Sequence, residues 1–353
     1  MPVPADWSQK QNTALAEYKK SQDSFGIGPW YDELFSKLIW AETATSWRDF
    51  LDWVGELQGP WCFRGQRESA WTLRTSLDRA VRVSHENVKV STPDGRYYLS
   101  SGSYHLDRRA VENESLFRFQ QQAHQFIPHT PPVDDKASWL ALMQHHGVPT
   151  RLLDWTSSPY VALYFAIEKA PREKNDEKKK AKEGKANEEK DDGCSAVWAM
   201  DLHWLETKKQ KFLESKDPKG RTAHLNDLLD QCDRPLIVKI DPPQGNERMS
   251  AQQGFFLWKL YEETPFFDQI LISMMIDPIQ ERPVIRKLKI GMDLRIGFLE
   301  SLRSMNIHSG SLFPGLDGFC QSLKTELEIR VANEARLSRE FEEREAKKLG
   351  LII

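Results

Sequence analysis

From Tyr160 to Ala166 every side chain is apolar or aromatic, and this segment directly follows a run dense in polar chemistry. Gln144-His145-His146-Gly147-Val148-Pro149-Thr150-Arg151-Leu152-Leu153-Asp154-Trp155-Thr156-Ser157-Ser158-Pro159 carries two imidazoles, a guanidinium, a carboxylate, an indole and four hydroxyls. A helix that is apolar all round has to be buried. Polar groups taken inside beside it cost free energy unless they are paired or bind something. Upstream, Trp61-Cys62-Phe63-Arg64-Gly65-Gln66 repeats the combination of buried apolar residues and a guanidinium, and the two stretches read as one site.

The local grammar of the run assigns its elements. Ser158 is placed to cap a helix, with Pro159 at its first position. Thr150 to Trp155 alternates imperfectly, as a strand partly buried on both faces would. Lys136–His145 reads as a helix closed by Gly147, where a histidine in the last turn favours the helix dipole. His145 and His146 point about 100° apart on such a helix, so both do not readily serve one metal. One of them is left as a candidate for contacting substrate. Thr156 and Ser157 precede a helix N-terminus, a natural place for an anion. Arg64, at a strand end and followed by glycine, combines a phosphate-matching fork with room for close approach. Its alternative is a structural ion pair with Asp78 or Asp154.

Around this core the spacing predicts an α+β fold, a modest mixed sheet flanked by helices. The first sixty residues read as helical, with Trp47, Phe50, Leu51, Val54 and Leu57 at helical spacing and Gly59-Pro60 as the stop. Further helices are expected over Glu112–Phe126, Leu294–Met305 and Phe319 to Lys348. The last is charged, with Leu323, Leu327, Val331 and Ala335 as one apolar stripe. Leu73 to Arg82 reads as a loop entering a helix. Strands are expected at 61–63, 195–200, 236–240, 267–275 and 284–290. Ser84 to Tyr104 reads as an excursion loop. Residues 168–192 hold nine acidic and nine basic side chains, too polar to offset the entropy of ordering, and read as a charged insert. Arg248 to Phe256, with Gln253-Gly254, reads as a turn into a strand, and Asn306 to Gly318 as a closing loop anchored by Phe313-Pro314.

Composition narrows the class of protein. With 39% hydrophobic residues among 353 and a net charge of −3, no basic field points to nucleic acid or an anionic membrane. The four cysteines, Cys62, Cys194, Cys232 and Cys320, show no metal spacing; with no signal-like start they suit reduced thiols in a cytoplasmic protein. No apolar run approaches the ~20 residues of a membrane span.

Several of these motifs together resemble the FRG domain, a mostly bacterial family named for its Phe-Arg-Gly triplet. They are Phe63-Arg64-Gly65-Gln66, the Gln144–Thr156 run, Pro159-Tyr160-Val161-Ala162-Leu163-Tyr164-Phe165-Ala166, Gln253-Gly254-Phe255-Phe256 and Ser311-Leu312-Phe313-Pro314. The resemblance spans roughly 45–325, leaving 1–44 as an N-terminal helical segment and 326–353 as a C-terminal charged helix. A second, looser resemblance is to ADP-ribosyltransferases, and implies that NAD is a substrate, with no metal. Arg64 would hold the pyrophosphate, and Thr156 and Ser157 the nicotinamide ribose. Gln253 would take the third motif's place, where this chain lacks that family's glutamate. His146 or Asp154 would activate an acceptor, with Gln66, His145, Arg151 and Trp155 among the groups contacting the nucleotide. The resemblance implies ADP-ribose transfer to a macromolecule or water, in a bacterial stress or phage-defence setting. The alternatives are a non-catalytic nucleotide or nucleic-acid binding module, and a hydrolase or nuclease built on His145 or His146 with Asp154.

Overall fold

The computed structural model describes residues 39–81, 89–91, 97–99, 108–127, 129–169, 193–216, 232, 235–241, 247–261, 265–276 and 283–348. Nine strands are described: β1 (Trp40–Ala44), β2 (Trp61–Gln66), β3 (Lys89–Ser91), β4 (Tyr97–Leu99), β5 (Leu152–Thr156), β6 (Cys194–Asp201), β7 (Ile237–Ile240), β8 (Gly254–Lys259) and β9 (Ile285–Gly291). The helices are α1 (Trp47–Gly55), α2 (Ser76–Ala80), α3 (Arg108–Ala123), α4 (Lys136–His145), α5 (Pro159–Ile167), α6 (Leu202–Lys216), α7 (Glu247–Ala251), α8 (Phe266–Ile276), α9 (Arg295–Ser304), α10 (Ser309–Leu312) and α11 (Leu316–Lys348). Seven strands form one mixed sheet in the order β1-β9-β6-β2-β5-β8-β7, and β3 and β4 pair separately. Only β1 and β9 run parallel; the other neighbours in the large sheet are antiparallel. The expected α+β architecture is the observed one.

Alternation along the strands divides the core. Cys62, Leu153, Trp155, Leu257 and Ile285 join a cluster with Phe266, Ile270 and Leu271 of α8. The opposite face is covered in two parts. Phe63, Val197 and Leu288 pack with α1, α5 and α9, while Leu152, Val238 and Trp258 pack with α3 and α4. The seam between these parts falls between β2 and β5, where the polar run of the sequence lies.

Two expectations are corrected. Residues 267–275 form helix α8 and not a strand: Phe266, Phe267, Ile270, Leu271 and Met274 are buried at helical spacing, and the element's eleven residues are long for a strand. Residues 40–44 form β1 and not a helix, because they pair with β9 from Trp40↔Arg286 to Ala44↔Ile290. The described parts of the 84–104 excursion are the β3–β4 pair. Residues 1–38 and all but the first two residues of the charged insert lie outside the described residues. No described helix is long and apolar enough to cross a membrane.

Candidate functional site

The site is built where the sheet's ladder is interrupted. β2 registers with β6 over six residues and β5 with β8 over five, yet β2 and β5 share the single pair Phe63↔Thr156. Past that pair a side chain replaces the backbone ladder: Arg64 Nη1 donates to the carbonyl oxygen of Asp154 at 2.5 Å and lies 3.8 Å from its carboxylate. Asp154 is thus the carboxylate partner of Arg64, and Asp78 takes Lys259 instead, at 2.5 Å. Gly65 is needed because α5 crosses here in backbone contact. A β-carbon at residue 65 would sit 2.5 Å from the Ala166 nitrogen and closer still to the Ala162 carbonyl oxygen.

Asp154 alternates out of the strand's buried pattern, and its side chain is 63% exposed. Gln144 Nε2 donates to its Oδ1 at 3.0 Å, and Gln144 Oε1 in turn accepts from the Thr150 hydroxyl. The position of Gln144 follows from the way α4 ends. Gly147, at φ +82°, closes the helix with Gly147 N–H donating to Gln144 O at 3.0 Å and Val148 N–H to Met143 O at 2.9 Å. This is the paired-bond glycine stop, and it leaves His145 and His146 exposed with their rings 5.0 Å apart and perpendicular. Partial burial, then the charges of His146 and Arg248, hold the His145 imidazole below its ordinary pKa. It is neutral near pH 7 and close to a cation.

The far end of β5 is locked to the turn before β8. Thr156 Oγ1 donates to Gln252 O at 2.8 Å and accepts from Ser158 N at 3.0 Å. Ser158 caps α5 by accepting from Val161 N at 3.3 Å, with Pro159 as its first residue. Ser157 N donates to Gln253 O at 3.1 Å, and its hydroxyl lies 3.3 Å from the Gln253 side-chain oxygen. Gln253 sits at φ +46°, a left-handed conformation uncommon for a residue with a side chain. Such strain clusters at functional sites.

The candidates therefore separate. Arg64, Asp154, Ser157 and Gln253 present polar atoms at the β2–β5–β8 edge, and His145 and His146 are exposed at the end of α4, next in sequence to Gln144, which bonds Asp154. Thr156 is 4% exposed and engaged in the turn. Gln66 accepts from the Trp198 indole at 2.7 Å and donates to Thr72 O at 3.3 Å, both framework contacts. Arg151 is buried in an ion pair with Glu112 at 2.5 Å. Trp155 is 2% exposed in the α8-side core, with no open ring face for stacking. Gln144 received no role from the sequence, although it lies in the same run. Arg248 was also overlooked: it stacks 4.7 Å over the Phe313 ring, so the closing loop reaches the same neighbourhood. Among the described residues, no three His, Cys, Asp or Glu side chains are grouped to hold a metal.

The FRG domain family model matches residues 59–176. The match includes Arg64, the 144–159 run and α5; the Gln253 turn and the closing loop lie beyond it. No curated protein and no solved structure matches the chain.

Proposed function

We propose that the β2–β5 seam binds NAD in the manner of an ADP-ribosyltransferase and cleaves its nicotinamide–ribose bond. The supporting observation is strand order: Arg64 lies on β2, the Thr156-Ser157 step at the end of β5 and the Gln253 turn just before β8, and these three strands are consecutive in the sheet. A guanidinium where the ladder stops offers donors to a pyrophosphate. Ser157 and Gln253 orient ribose hydroxyls, since a glutamine side chain both donates and accepts but is no base. As the C1′–nitrogen bond breaks, its electron pair leaves with nicotinamide. The exposed carboxylate of Asp154 stabilises the cationic sugar, then takes the proton of the water or acceptor nucleophile that attacks C1′.

Calorimetry with NAD, run beside an assay for released nicotinamide, tests this on wild type and Arg64→Ala. Loss of a charged hydrogen bond is worth about 1.5–3 kcal/mol, so affinity is expected to fall roughly 10- to 100-fold. Absence of binding at roughly millimolar NAD, about −4 kcal/mol, refutes the reading. A second reading, a nucleotide-binding module without catalysis, is favoured by the amide at Gln253 where a carboxylate would assist transfer. It predicts binding with no nicotinamide released.

Binding should also depend on pH through His145. Before a ligand binds, its imidazole titrates below the ordinary value, and a pyrophosphate nearby raises it, so binding takes up a proton. Affinity is expected to strengthen as pH falls from 7 through the bound-state pKa and to flatten above it. The His145→Gln variant should lose that slope; a slope unchanged by the substitution would remove His145 from the site.

A further inference from the structure

Helix α11 is seated on the body by its polar side. Gly318, Ser322, Thr325 and Ile329 are its buried residues. Its ion pairs join it to α9: Arg295 with Glu328 at 2.6 Å and Arg303 with Glu326 at 2.5 Å. The apolar stripe faces the other way. Phe319, Leu323, Leu327, Val331, Leu337 and Phe341 are between 48% and 66% exposed. At 100° per residue they fall within an arc of roughly 120°, opposite the seated face. From Glu334 to Arg344 every residue is exposed, so about three turns have no support among the described residues of the body. A short helix standing alone in water is marginal.

We infer that this stripe is a self-association surface and that two copies of the chain pair through antiparallel α11 helices. The stripe runs about 33 Å and presents on the order of 500 Å² of apolar surface. With its flanking polar atoms it approaches the ~800 Å² per partner of a standard interface. Two charged residues interrupt it, Arg330 and Glu334, and they fix the direction. Parallel pairing sets Arg330 against Arg330 and Glu334 against Glu334. Antiparallel pairing about a two-fold axis at residue 332 sets Arg330 of each copy against Glu334 of the other. The same register brings Leu327 opposite Leu337 and Leu323 opposite Phe341. An isologous contact of this kind closes as a dimer and does not propagate.

Sedimentation equilibrium of the full chain tests the pairing, with circular dichroism reporting helix content. Wild type is expected at twice the chain mass, and Leu327→Glu at the monomer mass, folded, with a loss of helix content no larger than the last three turns of α11. Arg330→Glu should weaken the dimer by placing like charges together, and Arg330→Glu with Glu334→Arg should restore it. A monomeric wild type at concentrations of roughly 100 µM, typical of a weak pair, overturns the inference. So does an Arg330→Glu protein that dimerises as wild type does. Exposed Cys320 supplies an orientation check: antiparallel pairing holds the two thiols about 36 Å apart. Rapid Cys320 to Cys320 disulfide formation in the dimer therefore overturns the antiparallel arrangement.

Discussion

Gly65→Ala is expected to unfold the domain or leave it severely destabilised, although it adds one methyl group. The added carbon meets main chain on a helix that cannot yield: the Ala162 carbonyl oxygen, the Ala166 nitrogen at 2.5 Å and the Phe165 carbonyl carbon at 2.9 Å. Helix α5 is buried on nearly all sides, with Val161, Ala162, Leu163, Tyr164, Ala166 and Ile167 all enclosed. Moving it away from β2 would open the core that joins Phe63 to Leu163 and Phe298. Overpacking with rotatable side chains costs about 1–3 kcal/mol, and a backbone clash lies at or beyond the upper end. Against a total stability of ~5–15 kcal/mol, a loss of ~3 kcal/mol or more is expected in a urea melt. Gly297→Ala is the control. It lies within α9 with nothing within 4 Å of the added carbon, so it should stabilise by ~0.5–1 kcal/mol. If Gly65→Ala melts like wild type, α5 does not press on β2 as described.

That glycine also shows how far the sequence was readable. Signals completed within a few residues are all legible in the sequence: Ser158-Pro159 as a helix start, Gly147 as a helix stop, and the limits of Lys136–His145. Each rests on bonds between near neighbours. The need for glycine after Arg64 was likewise legible as close backbone approach. The approaching group is α5, almost a hundred residues later in the chain, and a ligand had been the expected occupant. Strand β1 was missed because its identity depends on β9, some 240 residues away, and five residues carry little periodicity of their own. Helix α8 was misread because a run apolar on nearly every side lacks the contrast that distinguishes period 2 from period 3.6.

The polar residues divide in the same way. Arg64 had two possible carboxylate partners, and only the fold assigns Asp154 to it and Asp78 to Lys259. Arg151 looked like a ligand contact because a guanidinium in a polar run reads so. Its partner Glu112 lies on a helix whose own pattern gives no sign of an inward carboxylate. The stripe on α11 was legible as a stripe, but not that it faces solvent. That depends on the polar residues of the opposite face finding Arg295 and Arg303. What belongs to the candidate site is therefore the fraction of the motif left over after the fold has used its share: Arg64, Asp154, Gln144, His145, Ser157 and Gln253.

Glu112→Ala is expected to be the second most damaging substitution, and it tests that division directly. Glu112 and Arg151 are 1% and 2% exposed. The carboxylate accepts from the Arg151 backbone N–H at 3.0 Å and from its Nε at 2.5 Å. The guanidinium lies 5.6 Å from the Trp258 ring centre and has Leu260 O as a further acceptor at 3.4 Å. Removing the carboxylate takes both of its bonds away from a buried cation, for which the Leu260 carbonyl at 3.4 Å is a weak neutral substitute. Breaking such a pair from one side costs about 3–5 kcal/mol. Glu112→Gln keeps an acceptor for the backbone N–H and should lose less. Replacing both partners, with Glu112→Leu and Arg151→Met, should recover much of the loss, because an apolar pair of similar volume leaves no charge to desolvate. Urea melts of the three variants read this order directly. A Glu112→Ala protein within ~1 kcal/mol of wild type, a typical surface-level effect, would mean that Arg151 finds another partner. It would then return to the pool of residues available to a ligand. In the expected order, Arg151 acts by holding the start of β5 against α3. The same bond fixes where Asp154 projects three residues later, so the variants should weaken any ligand held at the seam in step with the stability they lose.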